Sequence, residues 1–174
     1  NDVIEEYCLE NGVGCFRGAE DDVLGRTLAS LKSTNADIGV TVFGDCPLLD
    51  PNIIDYAVEL FLDRKKYDFV GNNLRTTYPP GMDVEVYRTN ALEDSDRRTT
   101  DIRIREHGTL YIRQPPERYS LKNFEATKSI NRPDLYLGLD TQEDLAVVKE
   151  ILNHFQGKVD YSLEEIIHFM DANP

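Results

Sequence analysis

Residues 38–43 read IGVTVF, a nearly unbroken apolar and β-branched run without the in-and-out alternation of a half-exposed strand. Such a run fits a strand covered on both faces, and cover on both faces goes with a parallel sheet that has helices packed on each side. The expectation is a central parallel strand. The rest of the chain keeps the same rhythm. Residues 1–11 place Ile4, Tyr7 and Cys8 at helical spacing and stop at Asn11-Gly12, and residues 13–16 read as a short strand. Asp21 and Asp22 open a helix whose stripe is Val23, Leu24, Leu28 and Leu31. Asp50-Pro51 gives a cap and a proline at the first helical position, leading into Ile53, Ile54, Ala57, Val58 and Phe61; Arg64, Lys65 and Lys66 suit the negative end of that helix.

Residues 68–71 form another strand, and Tyr78-Pro-Pro-Gly81 a stiff turn before the alternating segment 83–87, with Val84 and Val86 on one face. Thr89 and Asp101 read as caps of two helices, the second spanning residues 102–113 and stopped by Pro115-Pro116; residues 121–126 are an edge strand. Residues 136–139 (YLGL) read as a strand that delivers Asp140. Thr141 with Asp144, and Ser162 with Glu165, then start two last helices by capping boxes, the first ending at Gly157. Strands alternating with helices define an α/β fold with a mostly parallel sheet. A length of 174 residues buries about 70% of the unfolded surface, which suits one domain over residues 1–174.

Charge narrows the partners. The formal net charge is −13, so a polyanion such as nucleic acid is repelled. Residues 97–132 nevertheless hold nine Lys and Arg against four acids, a local excess that fits a small anionic ligand, or equally a solvated face of paired arginines. No apolar run nears the ~20 residues needed to span a bilayer, and the first ten residues lack the basic and apolar regions of a signal peptide. Cys8, Cys15 and Cys46 lack metal-ligand spacing and read as reduced thiols, so a cytoplasmic setting is expected.

Ligands of open α/β sheets lie beyond the carboxyl ends of the strands, so acids directly after apolar strands are candidates. Asp45 follows IGVTVFG and Asp140 follows YLGL. On one rim they could share a magnesium ion with substrate phosphates; otherwise Asp45 shapes the turn at Gly44-Asp-Cys-Pro47 and Asp140 only begins a helix. Asp83 and Glu85 share a strand face, open either to a ligand pocket or to solvent. Arg105 could take a carboxylate in bidentate fashion, and His107 is an acid–base candidate or a packed helical histidine. Glu20-Asp-Asp22 reads as a helix-start charge cluster.

Five segments in order resemble a known family. They are Phe16-Arg-Gly-Ala-Glu-Asp-Asp-Val-Leu-Gly-Arg26, Gly44-Asp-Cys-Pro-Leu-Leu-Asp-Pro51, Tyr78-Pro-Pro-Gly-Met-Asp-Val-Glu-Val-Tyr87, Arg105-Glu-His-Gly-Thr-Leu-Tyr111 and Leu139-Asp-Thr-Gln-Glu-Asp-Leu145. They resemble the motifs of cytidylyltransferases of the spore coat polysaccharide type, relatives of CMP-KDO synthetase and acylneuraminate cytidylyltransferase. The resemblance implies a Rossmann-like nucleotide-diphospho-sugar transferase fold. It also implies an enzyme that joins a sugar, typically an acidic one, to CMP from CTP, releasing pyrophosphate with magnesium as cofactor. By the same resemblance Asp45 and Asp140 hold the metal and Asp83 and Glu85 belong to the sugar-binding region; Arg105 is expected to act with the aspartates in catalysis, and His107 and Arg26 to contact substrate.

The family's first strand and its glycine-rich, basic nucleotide loop have no counterpart here. The expectations that follow are a partial domain, weak CTP binding by these residues alone, and an open sheet edge that favours a homodimer. Two alternatives remain. One is a glycosyltransferase using Asp83-Val-Glu85 as its metal motif, the other a non-catalytic remnant that binds a sugar or partner chain.

Overall fold

The computed structural model describes residues 2–64, 66–114, 117–156, 158 and 160–173. Its elements are α1 (Asp2–Glu10), α2 (Val23–Ser33), β1 (Ile38–Val42), α3 (Pro51–Arg64), β2 (Phe69–Gly71), β3 (Val84–Arg88), α4 (Thr89–Arg98), α5 (Ile102–Arg105), α6 (Leu110–Arg113), β4 (Leu121–Asn123), α7 (Gln142–Phe155) and α8 (Leu163–Ala172). The four strands lie in the order β1-β3-β2-β4. β3 pairs antiparallel with both β1 and β2, while β2 and β4 are parallel. β1, β2 and β4 therefore run one way and β3 alone runs against them, giving a mixed α/β sheet with most strands in one direction.

Period-two alternation sorts the side chains onto two faces. Val70, Val84 and Val86 enter a core with Ile53, Ala57 and Phe61 of α3 and with residues of α7 and α8. Phe69 and Tyr87 enter a second core with Leu24 and Leu28 of α2, Leu92 of α4 and Ile112 of α6. The helix starts follow the sequence closely. Asp22 accepts from Gly25 N–H, Asp50 Oδ1 from Asn52 N–H, Asp101 from Arg103 N–H, and both capping boxes close reciprocally.

Several expectations need correction. β1 is not a central, doubly covered strand. Among the described residues it pairs only with β3, antiparallel, and Val40 and Val42 are 44% and 51% exposed. Its β-branched residues set its conformation, but whether a strand is covered depends on neighbours remote in sequence. Residues 13–16 and 136–139 form no ladder. The helix foreseen over residues 102–113 is cut into α5 and α6 by a turn at residues 106–109, where Gly108 adopts φ +56. Thr89 is the first residue of α4 rather than its cap; its hydroxyl donates to Ala36 O at 2.6 Å and ties the helix to the start of β1. The stop signals at Lys65, Pro115-Pro116 and Gly157 lie outside the described residues.

Candidate active site

Because β3 runs against its neighbours, its first residues lie at the rim where β1 and β2 end. Asp83, just before β3, thus meets Asp45, just after β1. The turn between β2 and β3 completes the geometry. Met82 N–H donates to Pro79 O, placing Pro80 and Gly81 at the turn's corners, with Gly81 at φ +101. A Cβ on Gly81 would come within 2.4–2.6 Å of the backbone at Leu137 and Gly138. Only glycine admits that approach. Residues 136–139 are strapped into place by Leu137 N–H to Pro80 O at 2.7 Å and Leu139 N–H to Asp45 O at 2.8 Å. Asp140, the next residue, is thereby held beside Asp45.

These segments wall a cleft of about 390 Å³ that includes Asp45, Cys46, Asp83, Glu85, Arg113 and Tyr136. A larger cleft of about 640 Å³ lies at the opposite end of β1, around Lys32, Asp37 and Glu93. The carboxyl-end rule for ligand binding selects the first. A second groove of about 280 Å³ shares Phe43, Glu85 and Arg113 with it and reaches His107.

Within the cleft, the Tyr136 hydroxyl donates to Asp140 Oδ2, which raises the phenol to about 12. Asp144, not Asp140, closes the cap of α7, so the Asp140 carboxylate is not consumed by helix capping. Burial, together with the Glu85 and Asp45 carboxylates, raises Asp83 above its ordinary value. Burial and the Asp45 charge push the Cys46 thiol up to about 12, so it is no thiolate nucleophile. Among the described residues no three His, Cys, Asp or Glu side chains converge to hold a metal by themselves. Two carboxylates at one rim, with substrate phosphates and water completing the shell, nevertheless match how magnesium is usually held.

Three of the candidate residues take different parts from those foreseen. Arg105 is no free carboxylate receptor: Nε and Nη2 donate to Asp22 at 3.0 and 2.7 Å, Nη2 also to Asp96 Oδ1 at 2.7 Å, and Nη1 to Thr99 O and Asp96 O at 2.9 and 3.3 Å. All five of its N–H groups are engaged. Glu85 is 2% exposed, with Oε1 accepting from Asn73 Nδ2 at 2.8 Å and Oε2 from the Thr109 hydroxyl at 2.6 Å. It organises the wall of the cleft instead of facing sugar hydroxyls, and Asp83-Val-Glu85 does not present two open carboxylates to a metal. Arg26 borders a separate groove beside β1, where Nη1 donates to Ala19 O at 2.7 Å. His107 is exposed in the turn after α5, at the far end of the second groove. Arg113, Asn73 and Tyr136 were not singled out by sequence. The basic stretch pointed to a cation for Arg113, without saying which; nothing marked Asn73.

An α/β sheet with acids at the carboxyl rim of its strands puts its ligand cleft at that rim. The chain matches the cytidylyltransferase family over residues 1–170, and it belongs to that family and is a nucleotidyltransferase. The spore coat polysaccharide biosynthesis protein SpsF of Bacillus subtilis is 30% identical over the whole chain and 71% of its own length. An uncharacterized protein of Methanocaldococcus jannaschii is 32% identical over the whole chain and 70% of its own length. The solved structure of a cytidylyltransferase from Leptospira borgpetersenii superposes with a TM-score of 0.94 at 32% identity, covering 99% of this chain and 72% of that one. Among the described residues no helix is long and apolar enough to cross a membrane.

Proposed function

We propose that the protein transfers CMP from CTP to a sugar, an acidic one as the family resemblance implies, and releases pyrophosphate. The observation that supports this reading is the Leu139 N–H to Asp45 O backbone bond, which ties the residue before Asp140 to Asp45 although the two aspartates are far apart in sequence. Asp45 and Asp140 would be the residues to hold a magnesium ion there, and the chemistry it would supply is neutralisation of charge on the reacting phosphate. The chain's own part is positioning. Asp45 and Asp140 fix the phosphate end of the cleft, Tyr136 orients Asp140, and Asp83 stands beside them where a sugar hydroxyl can donate to it.

The name of the Bacillus relative supports a product destined for polysaccharide synthesis, and free thiols at Cys8, Cys15 and Cys46 agree with a reducing, cytoplasmic setting. The test is pyrophosphate release from CTP over a panel of sugars, with magnesium and with EDTA. Magnesium-dependent release with at least one sugar acid is expected. Turnover that ignores chelation, or a preference for another nucleoside triphosphate, refutes the reading.

A further inference from the structure

We propose that Cys8 and Cys15 form a reversible thiol–disulfide site, separate from the CMP-transfer cleft, in which oxidation by a low-molecular-weight disulfide fastens α1 to residues 13–17. The placement begins in the sequence. Asn11-Gly12 closes α1 with a Schellman turn: Gly12 takes φ +66, its N–H donates to Leu9 O at 3.3 Å, and Val13 N–H donates to Cys8 O at 2.8 Å. The Asn11 amide adds a bond to Tyr7 O at 2.8 Å. The chain therefore turns back along the helix it has just left.

A second fastening lies farther along. Arg17 Nη1 donates to Asp2 Oδ1 at 2.8 Å and to Glu5 Oε2 at 2.6 Å, both in the first turn of α1. Residues 13–17 thus run antiparallel to α1, bonded at both ends, with Cys15 midway between the two fastenings. Helical Cβ atoms tilt toward the N-terminus, the direction in which this segment runs, so Cys8 leans toward Cys15. The two thiols lie within hydrogen-bonding reach of each other. A disulfide needs its Cβ atoms about 3.5–4.5 Å apart, and thiols already in contact reach that span with little backbone movement.

Cys15 is exposed and Cys8 half-buried, so an external disulfide meets Cys15 first. Cys15 gives its proton to water and attacks one sulfur of that disulfide; a bond forms to Cys15, the old S–S bond breaks, and one thiolate leaves and takes up a proton. Cys8, deprotonated in turn, attacks the Cys15 sulfur of the mixed disulfide and expels the second thiol. The two protein thiols are oxidised and the external disulfide is reduced to two thiols, and an excess of thiol runs both steps backward. Desolvation, then the Cys8 thiol and the Glu5 carboxylate, raise Cys15 above its ordinary value. The first step is therefore slow, and the nearness of Cys8 makes the second fast. Cys46, beside Asp45 in the cleft, serves as an internal control.

The test incubates the intact, fully reduced protein with glutathione disulfide, quenches in acid and maps the peptides by mass. A Cys8–Cys15 linkage is expected, and Cys8→Ser should hold glutathione on Cys15 in its place. Cys8 belongs to neither core, so the serine variant keeps the fold. The ratio of linked to glutathionylated Cys15 should be at least about tenfold higher in the native protein than in concentrated urea, a comparison that needs no variant. Because α1 buries none of its own residues, amide exchange across its last turn should slow by at least about fivefold on oxidation. Glutathione retained on Cys15 of the native protein, an equal ratio in urea, or a linkage through Cys46 overturns the site. Unchanged exchange in the oxidised protein overturns the fastening of α1.

Discussion

Arg105 and Arg113 flank the same turn within one basic stretch, yet their surroundings are opposites. Around Arg105, two aspartates and two carbonyls engage every donor, tying the start of α2 to the end of α4 and to α5. Around Arg113, one carboxylate stands at 3.6 Å and a buried donor has no partner. The first cluster is electrostatically closed and fastens helices together. The second belongs to a cleft with more acid than base, and its hydrogen bonding is left incomplete. A satisfied charge cluster holds a fold, and an unsatisfied one at the rim of a sheet is where chemistry is to be sought.

The sharpest way to break this contrast is at the carboxylates. In the whole protein, Asp45→Asn or Asp140→Asn should lower pyrophosphate release by about 100-fold or more, with an unchanged melting profile, because each loses a charge at the phosphate end while keeping its shape. Near-normal rates in both variants would remove the assignment. At the closed cluster the expectation is reversed. Arg105→Ala leaves Asp22 and Asp96 facing each other and should cost about 2–3 kcal/mol, or about 5–10 °C in Tm, while CTP affinity stays unchanged. A large affinity loss with normal stability would return Arg105 to the site.

Acidity separates the two regions by sign. The hydrogen bond from Arg105 holds Asp22 below its ordinary value of 3.8. Its stabilisation is complete above that value and is lost as pH falls through the folded-state pKa, a loss that Arg105→Ala should blunt in denaturation curves recorded below about pH 4. Asp83 is raised instead, first by burial and then by Glu85 and Asp45. Its charge destabilises the fold as pH rises from 3.8 through the folded-state pKa, and the penalty persists at neutral pH. The smallest effect follows from this. Without divalent cations, Asp83→Asn should raise Tm at pH 7 by about 1–3 °C, with no gain at pH 3; with magnesium present it should lower turnover. Equal gains at both pH values would mean that Asp83 carries no such penalty.

Much of the architecture was legible because it is written locally. The caps at Asp22, Asp50 and Asp101 and the two capping boxes need only neighbouring residues, and each formed. So did the faces of β3, since alternation is a local property. The errors arose where the outcome depends on distant chain. The exposure of β1, the broken helix at residues 106–109, and the strapping of residues 136–139 by backbone bonds to Pro80 and Asp45 are set by partners that a linear reading does not supply.

The same division runs through the site. Sequence alone determined which acids follow apolar segments at the ends of elements, the glycine that lets two backbones touch at residue 81, and the family to which the motifs point. Tertiary structure decided which arginine is engaged, that Glu85 is a holder and not a ligand contact, and that an antiparallel β3 delivers Asp83 to the rim of Asp45. Local geometry and propensity act over a few residues and leave marks in their order. The hydrogen-bond saturation of a charged side chain is a sum over groups brought from elsewhere in the chain, and it exists only once the fold has assembled them.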